Sequence, residues 1–309
     1  MHVTTALPQG VAVLERGWLS SNNIVFHGEG VNAVVDTGYV THAAQTVALV
    51  EHALGGRPLA LVISTHLHSD HCGGNAALQA RWPQARTLVP PGQAEAVRRW
   101  DPVALSHAPT GQRCAPFRLD GVLELGRGIR LGDAEWEIHA APGHDPHAVM
   151  LFEPISATLI SADALWENGF GVVFPELEGE DAFDAVGASL DLVERLQPRV
   201  VIPGHGRPFG GDAVAPALAR ARSRLAAFVA SPRRHASHGA KVLLKFKLLE
   251  LQSAPLDGFL AWAGGTPHLE TVRSVHFPEL SMDTWLRGLV DELVQSGVAA
   301  RSGDRLDNA

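Results

Sequence analysis

Thr65-His66-Leu67-His68-Ser69-Asp70-His71 follows directly on the continuous apolar run Pro58-Leu-Ala-Leu-Val-Ile63. An apolar run of that kind reads as a strand buried on both faces. The run after it therefore emerges at a strand end, carrying three imidazoles and a carboxylate within six positions. His66 and His68 are two apart, so an extended backbone turns both to one side. Asp70 and His71 sit where the chain enters a helix predicted over Asp70–Arg81, with the acidic residue at its favourable N-terminal end. Imidazole nitrogen and carboxylate oxygen are the donors that Zn²⁺ and similar ions take. The plain alternative is a polar surface loop in a chain with 16 histidines. The density of donors behind a buried strand favours a metal site.

Three further apolar runs repeat the arrangement. Glu135–His139 leads to Ala-Ala-Pro-Gly-His144, Ala157–Ile160 to Ser-Ala-Asp163, and Arg199–Ile202 to Pro-Gly-His205-Gly. In layered α/β folds the functional crevice lies outside the carboxyl ends of the strands. His144, Asp163 and His205 are thus expected to join the first cluster, with glycines beside both histidines allowing tight turns. Each taken alone is an ordinary cap or surface residue. His147 is a candidate neighbour of the site, and Trp166, Asn168 and Phe170 are candidates for a pocket wall.

Working outward, Val11–Leu14, Asn23–Phe26 and Asn32–Asp36 read as strands, and Thr41–Leu54 and Asp181–Leu196 as helices closed by Gly55-Gly56 and Gln197-Pro198. Strands alternating with helices imply a layered α/β core over residues 1–211. Residues 212–236, with five arginines in an Ala-rich stretch, read as a helical connector. Residues 237–309 read as a small, mainly helical module. In it, Met282–Gln295 carries Trp285, Leu286, Leu289, Val290, Leu293 and Val294 on one stripe, and Val298–Leu306 is a candidate hairpin. Helices followed by a β-ribbon resemble a winged-helix module.

The run His66-x-His68-x-Asp70-His71, followed in order by His144, Asp163 and His205, resembles the metallo-β-lactamase-fold superfamily, and most of all its glyoxalase-II-like branch. The resemblance covers residues 1 to about 211. It implies a four-layer αββα sandwich with the metal site at one edge. It also implies a first ion on His66, His68 and His144, a second on Asp70, His71 and His205, and Asp163 bridging them. Seven ligands exceed the needs of one tetrahedral ion, so two divalent metal ions are expected, zinc by default, with iron or manganese suited to the same donors. A hydroxide bridging the two, with Asp70 as the catalytic residue that orients it and takes its proton, implies hydrolysis of a carbonyl ester, thioester or lactone.

Composition narrows the class. The chain has 309 residues, 46% hydrophobic and 19% charged, which suits a globular protein and excludes a disordered one. No apolar run reaches the roughly 18–20 residues of a membrane span. The N-terminal Met1–Pro8 lacks the basic and apolar segments of a signal peptide. With only two cysteines, Cys72 and Cys114, no disulfide framework is expected, and the expected location is the cytoplasm. Residues 1–211 hold 13 Lys and Arg against 23 Asp and Glu, a net −10, whereas 212–309 hold 12 against 10. An acidic metal lobe repels a polyanion, so a small-molecule substrate is expected and nucleic acid is not. The rival readings are a nuclease acting on single-stranded RNA through the basic span Arg220–Lys247, and a non-enzymatic metal-containing binding protein. The C-terminal module is expected to cap the pocket or to form a homodimer interface.

Overall fold

Each buried strand divides its side chains between two apolar layers, and that division builds the molecule. The computed structural model describes residues 6–309; residues 1–5, part of the N-terminal stretch read above for a signal peptide, lie outside the described residues. Chain order begins β1 (Val11–Leu14), β2 (Asn23–Phe26), β3 (Ala33–Val35), α1 (Ala43–Leu54), β4 (Leu61–Ile63), α2 (Ser69–Cys72), α3 (Asn75–Arg81), β5 (Arg86–Val89), α4 (Ala94–Arg99) and β6 (Gly121–Val122). It continues β7 (Gly128–Leu131), β8 (Ala134–Ala140), β9 (Val149–Glu153), β10 (Thr158–Ala162), α5 (Phe174–Leu177), α6 (Phe183–Leu196), β11 (Val200–Pro203) and β12 (Phe209–Gly210). It ends α7 (Val214–Ala230), α8 (Pro232–Leu251), β13 (Ser253–Pro255), α9 (Leu256–Gly264), α10 (Pro267–His276), α11 (Met282–Gln295), β14 (Ala299–Ser302) and β15 (Arg305–Asn308).

One sheet runs β1-β2-β3-β4-β5-β6 and the second β12-β11-β10-β9-β8-β7. In the first, β3 through β6 are parallel neighbours; in the second, β10 and β11 are the parallel pair. Ile24, Phe26, Val35 and Ile63 of the first sheet share one cluster with Ile138, Leu151, Ile160 and Ile202 of the second. Phe26 and Trp136 meet edge to face at 5.3 Å within it. The alternate residues Val25, Val34 and Val62 pack outward on Val50 and Leu54 of α1 and Leu78 of α3. On the other side Met150, Leu159 and Val201 pack on Leu190 and Val193 of α6 and on Ala217 and Ala221 of α7. The period-2 alternation of strands thus yields helix, sheet, sheet, helix: the four-layer αββα sandwich.

The helix expected over Asp70–Arg81 is broken in two. A Cβ on Gly73 would stand 2.5 Å from the Val40 nitrogen, and one on Gly74 2.4 Å from the Thr37 oxygen. The turn after β3 is pressed so closely on this segment that only glycine fits, and the helix restarts as α3. The stretch 212–236 forms α7 and the first turn of α8.

A second core lies beyond. Leu243, Leu244 and Leu248 of α8, Phe259 of α9, Leu269 and Val272 of α10, Trp285, Leu286 and Leu289 of α11 and Leu306 of β15 form it, together with Leu177 of α5. Ser281 caps α11 by accepting the Thr284 N–H. The strands β13-β15-β14 close this helical C-terminal region. Among the described residues no helix is long and apolar enough to cross a membrane.

Two glycines give opposite expectations. Gly74→Ala drives a methyl group into the Thr37 carbonyl and is expected to cost about 1–3 kcal/mol. Gly288→Ala, in α11 with nothing within 4 Å, is expected to stabilise by up to about 1 kcal/mol. Urea denaturation midpoints with unchanged slopes measure both.

Candidate metal centre

Leu67 turns into a small core with Val97 and Leu105, and this alternation sends His66 and His68 the opposite way. Asp70 and His71 follow in the single turn of α2. His144 leaves the end of β8, while Asp163 and His205 leave the ends of the parallel neighbours β10 and β11. All seven side chains meet. The donor atoms of His66, His68 and His144 lie within 4.8 Å of one another, as do those of Asp70, His71 and His205 and those of His66, His71 and Asp163. Asp163 stands between the first two groups, its Oδ2 3.3 Å from His144 Nε2, 3.5 Å from His71 Nε2 and 3.9 Å from His205 Nε2. Asp70 Oδ2 is 3.1 Å from His205 Nε2. Gly204 leaves room for this packing, since a Cβ there would lie 2.2 Å from Asp163 Oδ1.

Hydrogen bonds behind the rings decide which nitrogens face inward. Asp36 accepts from His71 Nδ1–H at 2.8 Å, from the Thr65 N–H at 2.8 Å and from the Thr65 hydroxyl at 2.8 Å. Having given its proton to the carboxylate, the Thr65 hydroxyl can only accept from His66 Nδ1–H, 3.1 Å away. His144 Nδ1–H donates to the Val172 carbonyl at 2.5 Å. Each ring is thereby held with its Nε2 turned to the centre, as in metal-ligating histidines. His66 Nε2 and His71 Nε2 are buried and have no hydrogen-bond partner. Such orphans are costly unless an ion takes them. Five imidazoles and two carboxylates form a donor set suited to divalent ions, so the residues present fit a metal centre.

Burial lowers the proton affinity of His66 and His68, and the neighbouring imidazoles push the same way, so both are held neutral. Burial opposes charge on His71 too, but Asp163, Asp36 and Asp70 outweigh it and hold this imidazole well above its usual range. For Asp163 and Asp70 burial favours the acid, yet His71 and His205 win and keep both ionised.

Five of the seven, His68, Asp70, His144, Asp163 and His205, floor a cavity of about 520 Å³, with His66 and His71 buried behind them. Trp18 stacks on His205 with centroids 5.4 Å apart, and Trp166 Nε1–H donates to Asp163 Oδ1 at 3.1 Å. Trp166, Asn168 and Phe170 line the cavity, and Phe174 lies 4.7 Å from His68, ring to ring. His147 does not reach it; its ring packs on Gly92, and from that loop Asp145 Oδ2 stands 3.8 Å from His68 Nε2. Two contributors escape the sequence reading. Asp36 offers the same signal as Asp163, a carboxylate at a strand end, but reads there only as the end of β3. The wall formed by Val242, Leu243 and Phe246 of α8 carries no local signal.

The chain matches the Metallo-beta-lactamase superfamily over residues 16–205. It is similar to the acyl-coenzyme A thioesterase MBLAC2 of Homo sapiens, 28% identical over 229 residues, covering 65% of this chain and 79% of that protein. In the Bos taurus counterpart the match spans 59% of the protein's length. It is also similar to the hydroxyacylglutathione hydrolase of Xanthomonas axonopodis pv. citri (strain 306), 28% identical over 181 residues, 57% of this chain and 54% of that one. Among solved structures, a metallo-beta-lactamase family protein from Thermus thermophilus shares the fold, with a TM-score of 0.58 at 19% identity over 98% of this chain and 100% of that one. With its ligand run and both sheets inside the matched span, the chain belongs to the metallo-beta-lactamase superfamily, in the glyoxalase-II-like branch.

Proposed function

We propose that the protein is a thioesterase dependent on two divalent metal ions, cleaving an acyl group from an anionic thiol carrier. The observation that carries this reading is the meeting of seven donor side chains, five of them on the floor of a cavity with aromatic and aliphatic walls. His66, His68 and His144 would hold one ion and Asp70, His71 and His205 the other, with Asp163 shared. Zinc suits these donors, as do iron and manganese. When bound, such ions supply Lewis acidity, polarising a carbonyl and lowering the pKa of water from about 15.7 toward roughly 7.

The chain's own residues do the rest. Asp70 lines the cavity and is placed to take the proton of the attacking water as the new C–O bond forms. The C–S bond then breaks and the thiol leaves with a proton. Trp166 fixes Asp163 through its second oxygen, and Asp36 fixes His66 and His71 from behind. The acyl group is received by Phe174, Val242, Leu243 and Phe246. Arg224 and Arg207 line the cavity, and among the described residues neither is paired with a carboxylate. Arg224 instead touches the Asn168 carbonyl and His238, leaving its charge for an anionic carrier.

Half of the eight cations in the basic span that suggests a nuclease are paired with carboxylates. Arg222 pairs with Asp191 and Glu194, Arg233 with Glu279, Lys241 with Glu292 and Lys247 with Glu250. Arg220 is bonded to the Glu167 carbonyl. That pairing reduces the charge open to a phosphate chain, which supports a small thioester over RNA.

Three outcomes are expected. Asp70→Ala and His68→Ala should lower kcat/KM for an acyl-coenzyme A or acylglutathione substrate by at least about 10²-fold, with unchanged circular dichroism; wild-type rates in folded variants would end this reading. Asp36→Asn should weaken metal retention by about 10–100-fold, measured by competition with a chromogenic chelator. Arg224→Ala should raise KM about tenfold for the charged carrier with little change in kcat, and should leave a neutral thioester unaffected.

A further inference from the structure

Cys72 and Cys114 are the only two cysteines of the chain, and the fold brings their sulfurs to 3.7 Å across 42 residues of sequence. A ring nitrogen of His107 completes a cluster in which the three donor atoms lie within 4.8 Å of one another. Cys72 closes α2 directly behind Asp70 and His71; His107 and Cys114 lie on the segment joining α4 to β6. We propose that Cys72, His107 and Cys114 form a separate site for a thiophilic divalent cation of zinc type, tying this segment to the back of α2.

The spacing of the sulfurs is the first argument. A tetrahedral ion with Zn–S bonds of about 2.3 Å sets its sulfurs about 3.8 Å apart, whereas a disulfide requires about 2.05 Å. The histidine is the second. His107 is 3% exposed and donates its Nε2–H to the Leu67 carbonyl at 2.9 Å. That bond leaves Nδ1 as the lone-pair nitrogen, and Nδ1 is buried without a partner. A ring anchored to a backbone carbonyl through one nitrogen and free at the other is how ligating histidines are held. A disulfide would have no use for it.

Without an ion the thiols have carbonyls to donate to: Cys72 Sγ lies 3.5 and 3.4 Å from the carbonyl oxygens of Leu67 and His68, and Cys114 Sγ 3.8 and 3.7 Å from those of Cys72 and Ala115. Three protein donors leave the fourth tetrahedral position to water, and Cys114, half-buried, gives the way in. On binding, each sulfur releases its S–H proton as its bond to the ion forms, so two protons leave per ion. The seven-residue centre contains no sulfur, so thiolate preference separates the two sites. The segment that the ion would fix supplies Ser106, Thr110 and Gln112 to the cavity wall, and Ser69 of α2 already donates to Gln112 at 2.5 Å.

Cobalt tests this without reference to activity. The full chain, stripped of metal by a chelator under a phosphine reductant, is titrated with Co²⁺. Near-ultraviolet sulfur-to-cobalt charge-transfer absorption is expected. Cys114→Ser should abolish it with the loss of one cobalt per chain, and His107→Ala should weaken cobalt binding at this site at least tenfold. His68→Ala should keep the absorption while binding at the other centre falls. Reduced wild-type protein that fills with cobalt but lacks this absorption overturns the proposal. So does a Cys72–Cys114 disulfide in protein purified without oxygen.

Discussion

Two carboxylates and five imidazoles share a nearly dry floor, and no distribution of protons satisfies all of them. Burial alone would neutralise every group. The carboxylates of Asp70 and Asp163 remain ionised only because cationic imidazole stands beside them, above all His71, which is itself wedged among Asp36, Asp70 and Asp163. For His66 and His68 burial and the neighbouring imidazoles outweigh the support of the carboxylates, and both stay neutral, with the His66 Nε2 lone pair facing the centre. Burying charge costs several kcal/mol per ion unless it is matched. Divalent cations would match it in one step, taking both carboxylates and the orphaned nitrogens. Everything else at the site serves this constraint: Asp36 and Val172 turn the rings, Gly204 makes space for Asp163, and Trp18 and Trp166 cover the rim.

The sandwich supplies the convergence because its strands are short and buried on both faces. β4, β10 and β11 contribute three to five residues each, and the donors they deliver sit just past their carboxyl ends. Buried backbone must find its hydrogen bonds within the sheets, so only the loops beyond the strand ends are free to point side chains at a common centre. The αββα arrangement therefore does two things at once. It hides Ile63, Ile160 and Ile202 between the sheets, and it delivers the next residues to one edge.

That much is legible in the sequence because it is local: an apolar run and the ligands after it are read together. The C-terminal helix of Met282–Gln295 is legible for the same reason, since its apolar stripe is dense and continuous. What escapes depends on contacts between distant segments. Asp36 meets His71 from 35 residues away, and no spacing rule links them. Gly73-Gly74 is visible in the sequence, but only the pressure of the Thr37 turn makes it a break instead of a tolerated pair inside one helix. The arginines of 212–236 draw attention from Ala217 and Ala221, whose small side chains let α7 lie close on the second sheet. Cys72 and Cys114 read as two unrelated thiols until the fold sets them side by side.

α8 ties these levels together. Its Leu244 and Leu248 belong to the C-terminal core, while His238, Val242 and Phe246 face the cavity, and Leu243 serves both. Phe246 meets Tyr39, on the turn after β3, edge to face at 5.1 Å, and Arg113 reaches from the 101–117 segment to Glu250. A helix held by one core and lining the pocket of another cannot shift without moving that wall. The C-terminal region thus lends no donor to the seven-residue centre and sets instead the shape and polarity of the cavity beside it.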